Sequence, residues 1–223
     1  LEWHRLKLIN ATFTDIQNAA NNNSKQRFSM KLNPSRFTST DLKATGPSDW
    51  MIRANQGHTL NVDASKLLCP ATLEAGNLPD TAIHGTFYYF YSSIIETGGL
   101  SRISRNHIHF VTDLKSTGYQ VISDMRKDTQ ILIYVDVRAS LEDGISWWLS
   151  SNGVLLTEGN SKGLVPMKYF KKVISKDPDI GLLVENGVEI KKLPENLRYL
   201  EPPLGKNHVS KKLQNRNERR KVT

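Results

Sequence analysis

A single cysteine, Cys69, stands among 223 residues, which excludes an internal disulfide and any CxxC zinc clasp and points to a reducing compartment. Long apolar runs are missing too: none approaches the ~20 residues of a membrane span. The opening residues Leu1, Glu2, Trp3, His4 and Arg5 lack the apolar core of a secretory leader. These absences predict a soluble, intracellular protein, cytoplasmic or nuclear. There is no internal repeat. Acidic residues run out at one end. From Pro203 onward seven Lys or Arg face the lone acid Glu218, so residues 203–223 hold +6 of the net charge of +8. A segment so basic and so poor in apolar residues is predicted to stay disordered. It would attract RNA phosphates without specificity and make binding salt-dependent, or serve as a nuclear targeting signal.

What remains is an ordinary globular body. Hydrophobic residues make up 38% and charged residues 23%, and the length suffices for one large or two modest domains. Thr14 or Thr12 before Asp15, Ile16 and Gln17 marks a helix start, with Ile16, Ala19 and Ala20 on one side, stopped by Asn21, Asn22 and Asn23. Residues 25–31 alternate like a strand, and 33–49, rich in Ser, Thr, Pro and Gly, read as a mobile loop. An extended stretch from Trp50 ends at Gly57, and 69–78 is irregular. A strand over 81–83 is expected to deliver His84, Gly85 and Thr86 at its end. The helix after it, over 87–96, carries Phe87, Phe90, Tyr91, Ile94 and Ile95 at helical spacing and aims its N-terminal amides near Thr86. Strands are predicted over 106–111, over 130–137 as a central strand covered on both faces, over 153–157, and lastly over 171–175. The class is α+β.

The chemistry-bearing residues gather in a few blocks. Arg27, Arg53, Arg105 and Arg126 lie outside the tail, and a guanidinium grips a dianionic phosphate with two parallel hydrogen bonds better than an ammonium can. His84 and Thr86 offer an imidazole and a hydroxyl to a sugar, with Gly85 allowing close backbone approach. His107 and His109, two apart, share one face of a strand. That spacing also suits a metal, yet no third ligand stands at a sensible distance, and no metal is expected. Any one of these blocks alone is weak: a three-residue match arises by chance, and Asn55, Gln56, Gly57 and His58 read in isolation as a polar turn.

Together, in order and spacing, they carry a resemblance. Lys25-Gln26-Arg27-Phe28, Arg53-Ala54-Asn55-Gln56-Gly57-His58, His84-Gly85-Thr86, Ser104-Arg105-Asn106-His107-Ile108-His109, Val121-Ile122-Ser123-Asp124-Met125-Arg126 and residues 150–159 resemble the RNA 2′-phosphotransferase family. The resemblance implies a winged-helix-like first domain, here truncated, over 1–49. An ADP-ribosyltransferase-like, β-rich domain would follow over 50–202, with the active site between them. It also implies removal of the splice-junction 2′-phosphate from tRNA with NAD as co-substrate. The phosphate would first attack the NAD ribose and expel nicotinamide. The neighbouring ribose hydroxyl would then attack that phosphate, leaving a 2′-hydroxyl on the RNA and ADP-ribose 1″,2″-cyclic phosphate. Arg27, Arg105 and His107 take the catalytic places and His84, Gly85, Thr86, Ser104, Asn106 and Arg126 the NAD pocket. Positioning and charge stabilisation then supply the catalysis, with no protein nucleophile.

Two departures qualify the match. The family's first helix bears a Leu-Arg-His motif that nothing before Thr12 reproduces, so either the chain lacks that helix or the protein has lost part of its phosphate grip, and feeble activity is expected. Asp124 stands where the family usually has glycine, and is expected to point outward. Two further readings follow: transfer of ADP-ribose to a nucleic-acid terminal phosphate, and a binding protein that holds NAD or RNA without turnover.

Overall fold

The computed structural model describes residues 2–36, 46–58, 63–79, 82–112, 125 and 128–201. Among them the helices are α1 (His4–Leu8), α2 (Phe13–Asn21), α3 (Ala64–Leu67), α4 (Tyr88–Glu96), α5 (Val137–Glu142) and α6 (Glu195–Arg198). The strands are β1 (Phe28–Leu32), β2 (Trp50–Ala54), β3 (Cys69–Pro70), β4 (Ala82–Thr86), β5 (Gly99–Ser101), β6 (Ile108–Thr112) and β7 (Ile131–Val135). They continue with β8 (Trp148–Leu149), β9 (Leu155–Thr157), β10 (Leu164–Pro166), β11 (Phe170–Ser175), β12 (Leu182–Glu185) and β13 (Val188–Glu189). The fold is α+β. Nine strands form one sheet in the order β13-β12-β11-β7-β4-β6-β9-β8-β3, while β1–β2 and β5–β10 are separate antiparallel pairs. No described helix is long and apolar enough to cross a membrane.

Thr12, not Thr14, starts α2: its hydroxyl accepts from the Asp15 amide at 3.2 Å and the Asp15 carboxylate accepts from the Thr12 amide at 2.8 Å, a reciprocal capping box. The helix stops at Asn22, inside the asparagine run. Ahead of it lies α1, where no helix was expected, with no buried residue. Strand β1 begins at Phe28 rather than Lys25, because Gln26 has φ +42° and breaks the extended path. The 33–49 segment ends in a short turn over Pro47–Asp49, and its 37–45 portion lies outside the described residues.

Within the large sheet, His84, Gly85 and Thr86 are part of β4 itself and pair with Ile133, Leu132 and Ile131; they do not follow the strand. Central strand β7 is covered fully on one face only. Ile131, Ile133 and Val135 are wholly buried, while Leu132 and Tyr134 are half-buried, the alternation of a strand with unequal faces. Strand β11 is not the last, since β12 and β13 extend the sheet beyond it. Cys69 and Pro70, read as irregular, form an edge strand against β8. The main core cluster includes Tyr91, Phe110, Trp147 and Phe170, and a smaller one gathers Ala64, Leu68, Val154 and Leu156. Trp147 buries its indole by donating to the Ser140 hydroxyl at 2.9 Å, which satisfies its one polar atom.

Helix α4 decides where the site lies. It shows two apolar stripes instead of the single predicted face. Tyr88 and Tyr91 are buried, with Ile95 packed on the core, whereas Phe87 and Phe90 line a cavity and Ile94 touches both. Three- and four-residue steps along a helix generate both stripes. Its first amide does not stay open beside Thr86: the Tyr88 amide donates to the Gln130 side chain at 3.0 Å.

Candidate active site

A cavity of about 640 Å³ opens between α4, β4, β6 and the turn before β1, a volume within the usual range for small-molecule sites. It is lined by Arg27 from that turn, His84, Gly85 and Thr86 from β4, Arg105 from the turn before β6, and His109 from β6. Two guanidinium groups separated by 78 positions in the chain therefore share one space with an imidazole and a threonine. Arg27 and Arg105 are exposed at the rim, His84 is partly buried and Thr86 is buried.

The imidazole of His84 has a defined tautomer. Its Nδ1 lies 2.9 Å from the His109 carbonyl oxygen, which can only accept, so Nδ1 carries the proton and Nε2 is left as an acceptor. Burial pushes the pKa of His84 down, the bond to the His109 carbonyl opposes this, and the Arg105 charge pushes it further down. A neutral ring at physiological pH follows. The Phe110 ring meets it edge-on, with centroids 5.7 Å apart, and holds its plane. Gly85 is required for a reason unconnected with a ligand. A Cβ there would stand 2.8 Å from a Thr129 methyl and 2.9 Å from the Met125 side chain, closer than packed carbons approach.

Not every expected residue reaches the cavity. Ser104 and Asn106 stand in the turn that carries Arg105 but do not line the space, and neither does His107. His107 is 5% exposed and faces Glu158, with Nε2 3.7 Å from a carboxylate oxygen. Burial lowers its pKa, Glu158 works against that, and His58 and Arg102 add to it. Arg126 and Asp124 lie outside the described residues, as does the basic segment 203–223.

Two features escaped the sequence reading. The aromatic wall of Phe87 and Phe90 was legible as a helical spacing but not as the lining of a cavity. Ile103, 85% exposed with φ +53°, also lines the cavity, and no local signal marks a β-branched residue for that conformation. The blocks around Asn55 and Asn152 turn out to be brackets for Arg27. Asn55 donates from its side chain to the Gln26 carbonyl at 2.7 Å, and Asn152 to the Lys25 carbonyl at 2.9 Å.

Comparison with known proteins places the chain beside one family. A family model described as RNA 2′-phosphotransferase, Tpt1 / KptA family, matches residues 1–159. The chain is 40% identical over 164 residues to tRNA 2′-phosphotransferase 1 of Mus musculus, covering 74% of this chain and 60% of that protein. To the Homo sapiens protein of the same name it is 38% identical, with 74% and 59% covered. Identity to tRNA 2′-phosphotransferase of Saccharomyces cerevisiae is 32% over 180 residues, with 79% and 70% covered. The chain thus spans about three fifths of the length of the mammalian relatives.

Proposed function

Since the chain belongs to the RNA 2′-phosphotransferase family, we propose that it removes a 2′-phosphate from RNA, with spliced tRNA as the substrate class and NAD as co-substrate. The observation that carries this reading is the convergence of Arg27 and Arg105 on the cavity that also holds His84 and Thr86. NAD supplies a sugar carbon bearing nicotinamide as leaving group. The residues present suit such a molecule: an aromatic wall for a ring, an imidazole acceptor and a hydroxyl for a ribose, and cations for phosphates.

Arg27 and Arg105 grip the phosphate being transferred and offset its charge with forked donors already in place. Neutral His84 accepts from a ribose hydroxyl at Nε2, which an imidazolium would be unable to do. Gly85 keeps β4 flat against Thr129, so that Thr86 meets the sugar. Phe87 and Phe90 exclude water from one side of the space. Ser104, Asn106 and His107 serve in the turn that presents Arg105; Arg126, outside the described residues, keeps the NAD-binding role that the family resemblance gives it. In architecture we place a winged-helix-like unit first and an ADP-ribosyltransferase-like unit after it. The β1–β2 pair joins residues on both sides of position 49, which supports drawing the first unit through β2. The basic segment 203–223 adds non-specific attraction to RNA.

Incubating the full chain with NAD and a 2′-phosphorylated oligonucleotide, followed by mass spectrometry, tests this. Dephosphorylated RNA with released nicotinamide is the expected result. A stable ADP-ribosylated product would favour transfer to nucleic-acid phosphates instead, and no change in mass would leave a binding protein. Arg27→Ala and Arg105→Ala should each slow the reaction by about 10²–10³, the usual cost of losing one charge-stabilising donor.

A further inference from the structure

Three successive carbonyls lead into the cavity's first arginine, and each is held. The Lys25 carbonyl accepts from the Asn152 side chain at 2.9 Å, the Gln26 carbonyl from the Asn55 side chain at 2.7 Å, and the Arg27 carbonyl from the Asn55 amide at 2.8 Å. Both asparagines are buried, at 5% and 3% exposure. Their oxygens are occupied as well: Asn55 Oδ1 accepts from the Ser29 hydroxyl at 2.5 Å and Asn152 Oδ1 from the Ser150 hydroxyl at 2.7 Å. Neither amide can therefore turn without breaking bonds at both ends. They come from distant places, Asn55 just after β2 and Asn152 from the turn between β8 and β9, yet they meet on one tripeptide.

That tripeptide is an unfavourable one to leave unsupported. Gln26 sits at φ +42°, a left-handed conformation that a residue with a Cβ keeps only when its surroundings over-determine it. Released, the turn would relax toward extended backbone, and rotation at a single residue swings the following long side chain through several ångströms. Asn152 also ties this turn to the large sheet, two residues from Val154, which lines the same cavity.

We propose that Asn55 and Asn152 are positioning residues that aim the Arg27 guanidinium at the RNA phosphate, acting only through the backbone of residues 25–27. The inference rests on the reading of Arg27 as a phosphate ligand. Asn55→Asp and Asn152→Asp test it, since each keeps the acceptor for its serine and replaces the carbonyl donor with a second acceptor. The measurement is the ratio of affinities for a 2′-phosphorylated oligonucleotide and its 2′-hydroxyl counterpart, taken in the otherwise unchanged protein and in Arg27→Ala, with thermal melting alongside. Each aspartate variant should lower the ratio about tenfold, the worth of one hydrogen bond to a charged group, and should lower it no further once Arg27 is alanine. A purely structural role would lower the melting temperature and leave the ratio alone. An unchanged ratio, or an equal further fall in the Arg27→Ala background, overturns the proposal. So does loss of cooperative melting in both aspartate variants, because the clamp would then be a folding element. An Arg27→Ala protein that discriminates as well as the parent would sink the phosphate-ligand reading itself.

Discussion

Ile103 shows what a residue endures at the lip of a site. It lies at φ +53° with 85% of its surface exposed, so it accepts left-handed strain, about 1–2 kcal/mol for an L residue, with little burial in return. Ile103→Gly should therefore raise stability by about 0.5 kcal/mol after the extra backbone entropy of glycine is counted. Thermal melting checks this, and a lower melting temperature would contradict it. His84 makes a pH argument of the same local kind. Its pKa is pushed below the ordinary 6.5, first by burial. Below about pH 6.5 the unfolded chain takes up a proton that the fold refuses, so stability falls on acidification through that region and is indifferent to this group above it. His84→Asn keeps an amide donor for the His109 carbonyl and removes the titration. Its melting temperature should fall less between about pH 7 and about pH 5 than that of the parent; equal slopes would assign the dependence elsewhere, with His107, also held low by burial, as the next candidate.

At the level of elements, α4 divides its duties between two stripes. Tyr91 is 2% exposed in the core and donates its hydroxyl to Glu189 at 3.1 Å, whereas Phe90, one position earlier, is 40% exposed at the cavity. Tyr91→Ala should cost about 3–5 kcal/mol, as large aromatic truncations in cores do, and Phe90→Ala about 1 kcal/mol or less. Urea denaturation of the two variants separates them. Phe90→Ala should instead weaken NAD binding, read by titration calorimetry. Matching stability losses would mean that the two stripes have been wrongly divided. Sequence alone marked α4 by its spacing, and marked α2 by a threonine cap. It missed which stripe faces the cavity, because periodicity records which residues are apolar and not what they pack against.

At the scale of the whole molecule, charge is unevenly distributed: the 203–223 segment carries +6 of the net +8. Deleting those residues should reduce the salt dependence of RNA binding, by roughly 0.7 in the log–log slope for each single-strand phosphate that the segment had neutralised. It should leave the rate at saturating RNA unchanged. Fluorescence anisotropy from low to moderate salt measures the slope, and an unaltered value would show that the segment touches no RNA.

The amino-acid sequence by itself determined the family, through the order and spacing of its blocks, and with it the residues worth suspecting. It also determined the local signals: a threonine cap at Thr12 or Thr14, the apolar β7, and the helical spacing of α4. Only the tertiary structure decided that Arg27 and Arg105 share a cavity while Ser104, Asn106 and His107 stand outside it, and that Asn55, read in isolation as part of a polar turn, joins Asn152 in holding the turn before β1. The reason is physical. Propensity and period are properties of neighbours along the chain, whereas a site is made by antiparallel pairing and buried hydrogen bonds between segments as far apart as Lys25 and Asn152, whose meeting no local pattern encodes.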